Sequence, residues 1–343
     1  MNDKPILRIR PKIVSPVCSS DELRNAVEMG ANEVYCGMIP PLVGKRFGYD
    51  DIISRRQGRL ANVTSMETMK SMLLESSRLH IPVALAINSH LSRSLLPHVV
   101  GLAETWARAG GSAVLLSDIA LLIALKRKAL PLKYHLSIMA AVFNTAAIDF
   151  YAELGVQRVV LPRELLFPEI ARMTASHPSI EFEALVLHDR CPFIDGLCGF
   201  YHGTSFAPGT ATSEPCTSSS RTHERRVYSN NLFYTGHGCS ILLNSTDASH
   251  VQYCEEVEHK NLPACAACQL SQLAEAGVGF LKIAGRGLRA TDKARSVSFV
   301  RTAVDQWHCT TDAAKARSTI RRLYQEAFGQ PCDDSKCYYQ AGA

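Results

Sequence analysis

Short β-branched runs alternate with stretches of helical period from Lys12 to Val186, and this alternation limits the fold more than any other feature. Strands are expected near Lys12–Val17, Glu33–Cys36, Val83–Asn88, Ala113–Leu116, Lys133–Ser137, Arg158–Leu161 and Ile180–Val186. Helices are expected near Asp21–Met29, Ser65–Leu79, Leu95–Ala109, Ile119–Lys128, Thr145–Leu154 and Leu165–Ser176. Start and stop signals agree: Asp21 and Glu22 suit a helix N-terminus, Asn144 precedes Thr145, and Gly30 and Gly155 follow helix ends. From Gly199 to about Leu262 the pattern gives way to a Ser/Thr/Gly/Asn-rich stretch. Helix Cys268–Glu275 and an eighth strand, Phe280–Ile283, then resume it, with helical segments to about Phe328.

Alternating strands and helices imply parallel strands joined by right-handed crossovers. Eight such units point to an α/β fold, a (β/α)8 TIM-type barrel with a long cysteine-containing insertion after the seventh strand. An open doubly wound sheet fits the same string. The expected organisation is a barrel over residues 1–310, with the insertion at 199–264, then a C-terminal helix and polar tail over 311–343.

With 46% apolar residues the chain can bury a large core, and general disorder is excluded. A net charge of +5 is compatible with an anionic or RNA partner without demanding one. No stretch approaches the roughly 20 apolar residues of a membrane span, and MNDKPILRIRPKIV lacks the apolar region of a signal peptide. The chain therefore reads as cytoplasmic. In that reducing compartment twelve cysteines are not expected to form a disulfide framework.

The strongest local signal is CPFIDGLC, where six residues including Gly196 separate Cys191 from Cys198 directly after the seventh strand. Cys216 follows in the insertion, then Cys265 and Cys268. Soft thiolates favour an iron–sulfur cluster or zinc, and ligands spread over this span would tie the insertion down. The tail carries a second pair in PCDDSKC, Cys332 and Cys337, which reads as a redox pair, a further ligand set or incidental thiols. Phosphate-loop, dinucleotide, zinc-protease and serine-hydrolase motifs are all missing.

Five segments resemble, in order, the collagenase-like peptidase family U32. NEVYCG is similar to A-D-x-V-Y-x-G, and SRRQGRLANVT to an arginine-rich segment ending in A-N-F. RVVLPREL is similar to R-V-V-L-x-R-E-L, and Glu183 with Cys191, Gly196 and Cys198 to E-x-F…C-x4-G-x-C. AGVGFLKIAGRG is similar to A-G…K-I-E-G-R. The resemblance implies a 4Fe-4S cluster on Cys191, Cys198, Cys216 and Cys265, the last lying seventeen residues before Lys282 as in the family, with Cys268 as alternate and Cys36 in reserve. It implies oxygen-independent hydroxylation, or a related modification, of an aromatic quinone precursor or an RNA. The alternatives are a peptidase and a non-catalytic cluster-bearing partner of a homologous subunit. Ala284 stands where the family has glutamate, which favours the partner role or a different substrate.

If the barrel forms, chemistry belongs at the C-terminal ends of its strands. The catalytic candidates there are Arg163, Glu164, His188, Lys282 and Arg286, as rim ion pairs or as acid/base and anion-binding groups. The substrate-binding candidates are Arg55, Arg56, Asn62 and Asn88.

Overall fold

The computed structural model describes residues 10–39, 53–56, 59–188, 194–197, 264–334 and 337–339, and the backbone of three further strands between 226 and 243. Cys191, Cys198 and Cys216 lie outside the described residues.

The chain runs β1 (Lys12–Pro16), α1 (Ser20–Glu28), β2 (Glu33–Met38), β3 (Asn62–Val63), α2 (Met66–Leu79), β4 (Val83–Ile87) and α3 (Leu96–Arg108). It continues through β5 (Ala113–Leu116), α4 (Ile119–Arg127), β6 (Lys133–Leu136), α5 (Thr145–Glu153), β7 (Arg158–Val160), α6 (Phe167–Ser176) and β8 (Glu181–Leu187). After β9 (Arg226–Tyr228), β10 (Asn231–Thr235) and β11 (Ser240–Leu243) come α7 (Leu270–Glu275), β12 (Phe280–Ile283), α8 (Ala290–Cys309) and α9 (Ala313–Phe328).

Eight strands pair in parallel in the order β1-β2-β4-β5-β6-β7-β8-β12, and β12 pairs back onto β1. The sheet is therefore a closed TIM-type barrel, not an open one. Helices start where a side chain meets the free amides of the first turn. Ser19, Ser65, Asp118, Asn144 and Asp312 each accept such a bond. Gly155 adopts φ 86° just past α5, the left-handed turn that glycine allows without a Cβ penalty.

The strand residues divide by alternation. One set, including Ile13, Val34, Val83, Leu85, Val114 and Leu281, packs against helix residues such as Leu23, Met69 and Trp106 in the main core. The other set faces the barrel interior, with Val14, Tyr35 and Phe280 in one cluster and Ala86, Leu115 and Val160 in another.

Charges share that interior. Arg158 is 1% exposed and lies 3.4 Å over the Phe280 ring. Its guanidinium donates to Glu33, Glu181 and Glu183 at 2.7–3.1 Å. Glu183 also accepts from Lys282 at 2.5 Å, and the Lys282 ammonium sits 4.1 Å from the Tyr35 ring centre.

The region between β8 and α7 differs from its sequence reading. It contains a three-stranded antiparallel sheet, β11-β10-β9, where only an aperiodic stretch was expected. The strands are three to five residues long and separated by Ser, Asn and Gly, too short for period-2 alternation to register. Short β3 adds to the end of β2, placing Asn62 beside Gly37. The tail is polar in composition, yet Tyr338 and Tyr339 are 4% and 1% exposed.

Candidate functional site

The C-terminal ends of the strands gather two groups of polar side chains. The first is built on β2, β3, β4 and the turn after β12. Arg286 is buried and donates to Ser54 Oγ at 2.5 Å and to Asn62 Oδ1 at 3.4 Å. Asn62 Nδ2 donates to the Arg56 carbonyl, and the Arg55 amide donates to Asn88 Oδ1. Asn88 is held in turn by Ser137 and by the Ser117 hydroxyl on its carbonyl. Arg55, Arg56, Asn62, Asn88 and Arg286 thus meet in one hydrogen-bonded array, assembled from opposite ends of the barrel sequence. Cys36, next to Gly37 on β2, is wholly buried in the main core, and burial pushes its thiol up to about 12.

Gly37 lets this array form. A Cβ there would lie 1.9 Å from Arg286 Nη1 and 2.1 Å from Asn62 Oδ1. Gly37→Ala therefore displaces the guanidinium. If the array takes an anion, the variant should bind a short oligonucleotide more weakly with its far-ultraviolet spectrum unchanged. Unchanged affinity would show that Arg286 does not contribute to binding.

The second group follows β7. The Arg163 backbone amide and Nε both donate to Asp195 Oδ2 at 2.9 Å, and Nη2 pairs with Oδ1. The Asp195 amide donates to Glu164 Oε1 at 3.1 Å. This clamp pins residues 194–197, the middle of the CPFIDGLC segment, to the barrel mouth. Gly196 at φ 81° completes the contact, since a Cβ would sit 2.8 Å from the Ala141 amide nitrogen. Burial, and then the Asp195 carboxylate, hold the Glu164 carboxyl above the usual range. A carboxyl so placed can give or take a proton nearer neutrality.

His188 and Lys282 are placed differently. His188 follows β8 at φ 67°, a left-handed conformation costly for a side chain with a Cβ. Its ring turns to Ser296 Oγ at 2.7 Å and stacks edge-on against Phe328. Lys282 points into the interior ion-pair network. Two other strand-end residues are structural: Asp118 caps α4 and accepts from the Leu91 amide, and Asn144 caps α5. Asp195 and Ser54 were not singled out in the sequence. Asp195 lies inside the cysteine spacing, and an acid between two thiols next to a glycine turn was its available signal.

Cys265 stands at the mouth end of β8. It forms an isolated bridge with Leu187, and the His188 amide donates to the Ala264 carbonyl at 2.8 Å. The point where the chain leaves toward Cys191 and the point where it returns to Cys265 are thus joined by backbone bonds. Burial raises the Cys265 thiol, and the Ala267 amide, which donates to Cys265 Sγ at 3.2 Å, offsets only part of that. Cys265 and Cys268 are buried soft donors of the kind an iron–sulfur group takes, and Cys265 is the one ligand of the implied set among the described residues.

Residues 19–341 match the peptidase family U32. The chain belongs to that family. Its curated relatives include "tRNA hydroxylation protein P" of Haemophilus influenzae, 26% identical over 60% of this chain and 42% of that protein. The Escherichia coli protein of the same name is 24% identical over 60% of this chain and 43% of its own length. The chain spans less than half the length of these relatives. Among solved structures, the U32 peptidase Mk0906 superposes with TM-score 0.42 at 13% identity, covering 54% of this chain and 72% of that one. N-acetylneuraminate lyase from Mycoplasma synoviae superposes with TM-score 0.43 at 8% identity, over 93% and 80%. No helix among the described residues is long and apolar enough to cross a membrane.

Proposed function

We propose that this U32-family chain takes part in oxygen-independent hydroxylation of an RNA, with a tRNA as the substrate class. The observation that carries the reading is the Arg286–Asn62–Ser54 array with Arg55 and Arg56 at the barrel mouth, found in a chain related to two tRNA hydroxylation proteins. Guanidinium groups held by fixed acceptors suit phosphate and the edges of an unstacked base. Glu164, held toward its protonated form beside Asp195, supplies a proton donor or acceptor at the same mouth. A 4Fe-4S cluster, bound by Cys191, Cys198 and Cys216 with a fourth thiol from the Cys265/Cys268 pair, would supply electron transfer. A small aromatic substrate is the alternative within the same chemistry. Ala284, buried beside Leu187 where the family carries glutamate, supports a second reading as a partner that needs a homologous subunit.

The test has two arms. Protein purified without oxygen is assayed for iron and sulfide, with Cys191→Ala plus Cys198→Ala as control. About four of each per chain are expected in the wild type, and they should vanish in the control. Nucleosides from tRNA of a host lacking its own hydroxylation protein are then compared by mass spectrometry with and without this chain. A hydroxylated nucleoside should appear with the wild type and disappear with Arg286→Ala. Its appearance only when a related subunit is co-expressed would establish the partner role. Its absence in both settings would overturn the RNA reading.

A further inference from the structure

The tail beyond α9 brings its two cysteines to the Cys265/Cys268 pair. Cys337 bridges to Cys265 through the backbone, and the Tyr338 amide donates to the Cys265 carbonyl at 3.2 Å. Gln269 Nε2 donates to the Tyr339 carbonyl at 2.7 Å, fixing the segment beyond. The Cys268 thiol lies close enough to Cys332 and Cys337 to be influenced by both. All four thiols line one small cavity, with Tyr324 and Arg321 beside them. Helix α7, strand β12 and helices α8 and α9 separate the two pairs along the chain, so their convergence is a product of the fold and not of local sequence.

We infer that Cys265, Cys268, Cys332 and Cys337 form a four-thiolate site for a soft divalent ion, zinc or ferrous iron. The two pairs are spaced C-x2-C and C-x4-C, both within the range of tetrahedral thiolate sites. The Ala267 amide already points at Cys265 Sγ. Four thiolates around one divalent ion carry a net charge of −2. Arg321, which lines the cavity and pairs with Asp334 at 3.1 Å, is placed to offset it, and Arg317 lies 4.0 Å from the same carboxylate. Among the described residues no three such side chains already meet around a metal position. Binding releases the thiol protons and draws the sulfurs the remaining distance, coupling the metal to docking of the tail.

The inference competes with the function proposed above at one point: it takes both thiols of the Cys265/Cys268 pair, so a cluster on Cys191, Cys198 and Cys216 would draw its fourth ligand from outside that pair. Metal counts on the full-length chain separate them. Elemental analysis is made on the wild type, on Cys332→Ser with Cys337→Ser, and on Cys191→Ser with Cys198→Ser. The tail variant should lose about one metal ion per chain and keep its sulfide, and the other variant should lose iron and sulfide but keep that ion. Substitution with cobalt should give the intense visible bands of tetrahedral thiolate in the wild type and not in the tail variant. Metal content unchanged in the tail variant, with loss confined to the Cys191/Cys198 variant, would overturn the inference while sustaining the cluster. The reverse pattern would sustain the inference and overturn the cluster's ligand set.

A second readout needs no variant. Cys268, Cys332 and Cys337 of the wild type should resist alkylation until a chelator is added, as mapped by mass spectrometry. Equal alkylation with and without chelator, or a disulfide joining Cys268 to either tail cysteine in freshly purified protein, would overturn the site.

Discussion

Glu183→Ala should destabilise the protein by about 3–5 kcal/mol, because it removes the shared partner of two buried cations. Lys282, only 7% exposed, has Glu183 as its carboxylate partner, while Arg158 keeps Glu33 and Glu181. The orphaned ammonium therefore accounts for most of the loss. A double variant, Glu183→Leu with Lys282→Met, removes both charges and should recover a large part of it. Denaturant unfolding at neutral pH measures both. A single-variant loss below about 1 kcal/mol would show that the interior network contributes little.

The same network fixes the sign of the acid response. Burial by itself would raise the Glu183 carboxyl, but Lys282 and Arg158 more than reverse this and hold it at about 2, against an ordinary 4.5. A depressed carboxyl contributes stability above its unfolded value, and that stability is lost as pH falls from 4.5 toward 2. Burial, then Arg158, holds His135 at about 3 against an ordinary 6.5. The unfolded chain takes up that proton first, so stability also falls as pH drops from 6.5 toward 3. Acid unfolding should therefore begin below pH 6.5 and steepen below 4.5. In Glu183→Ala the lower part of that slope should flatten.

Tyr339→Ala should release the tail. The ring is 1% exposed and packs 6.2 Å from Phe167, and neighbouring Tyr338 lies 5.7 Å from the Arg163 guanidinium. Truncating a buried aromatic ring typically costs about 3–5 kcal/mol. A terminal segment can detach without the barrel unfolding, so the loss should be local. Amide exchange at Cys337 and Tyr338, whose amides are hydrogen-bonded, should accelerate by two orders of magnitude or more (roughly 1.4 kcal/mol for each tenfold), while the main unfolding midpoint moves little. Unchanged exchange there would mean that the ring does not hold the tail.

The barrel was legible because the strands are short apolar runs followed by helical periods, several of which carry a start signal. Asn144, at the head of α5, is such a signal. The interior charges were not read as a network: Lys282 stood among the strand-end candidates, and Arg158 and Glu183 appeared only within motifs. A closed barrel obliges such buried charges to find one another. Which residues they would pair with depends on register, which one strand cannot reveal. The mouth was partly legible: Arg55, Arg56, Asn62, Asn88 and Arg286 do converge, but Ser54 and Asp195 were hidden in loops without period. The docking of Tyr338 and Tyr339 was illegible, since two aromatic residues in a polar stretch carry no periodic signal.

The closure of the barrel has a consequence for the making of the protein. β1 leaves the ribosome well before β12, one of its two partners, is made. At ordinary rates of translation that partner arrives roughly tens of seconds later. Until then a parallel edge of Lys12–Pro16 lies open, the kind of edge that recruits stray strands. All the cysteines between β8 and β12 are synthesised during that interval. Those thiols are therefore on the chain before the barrel can close.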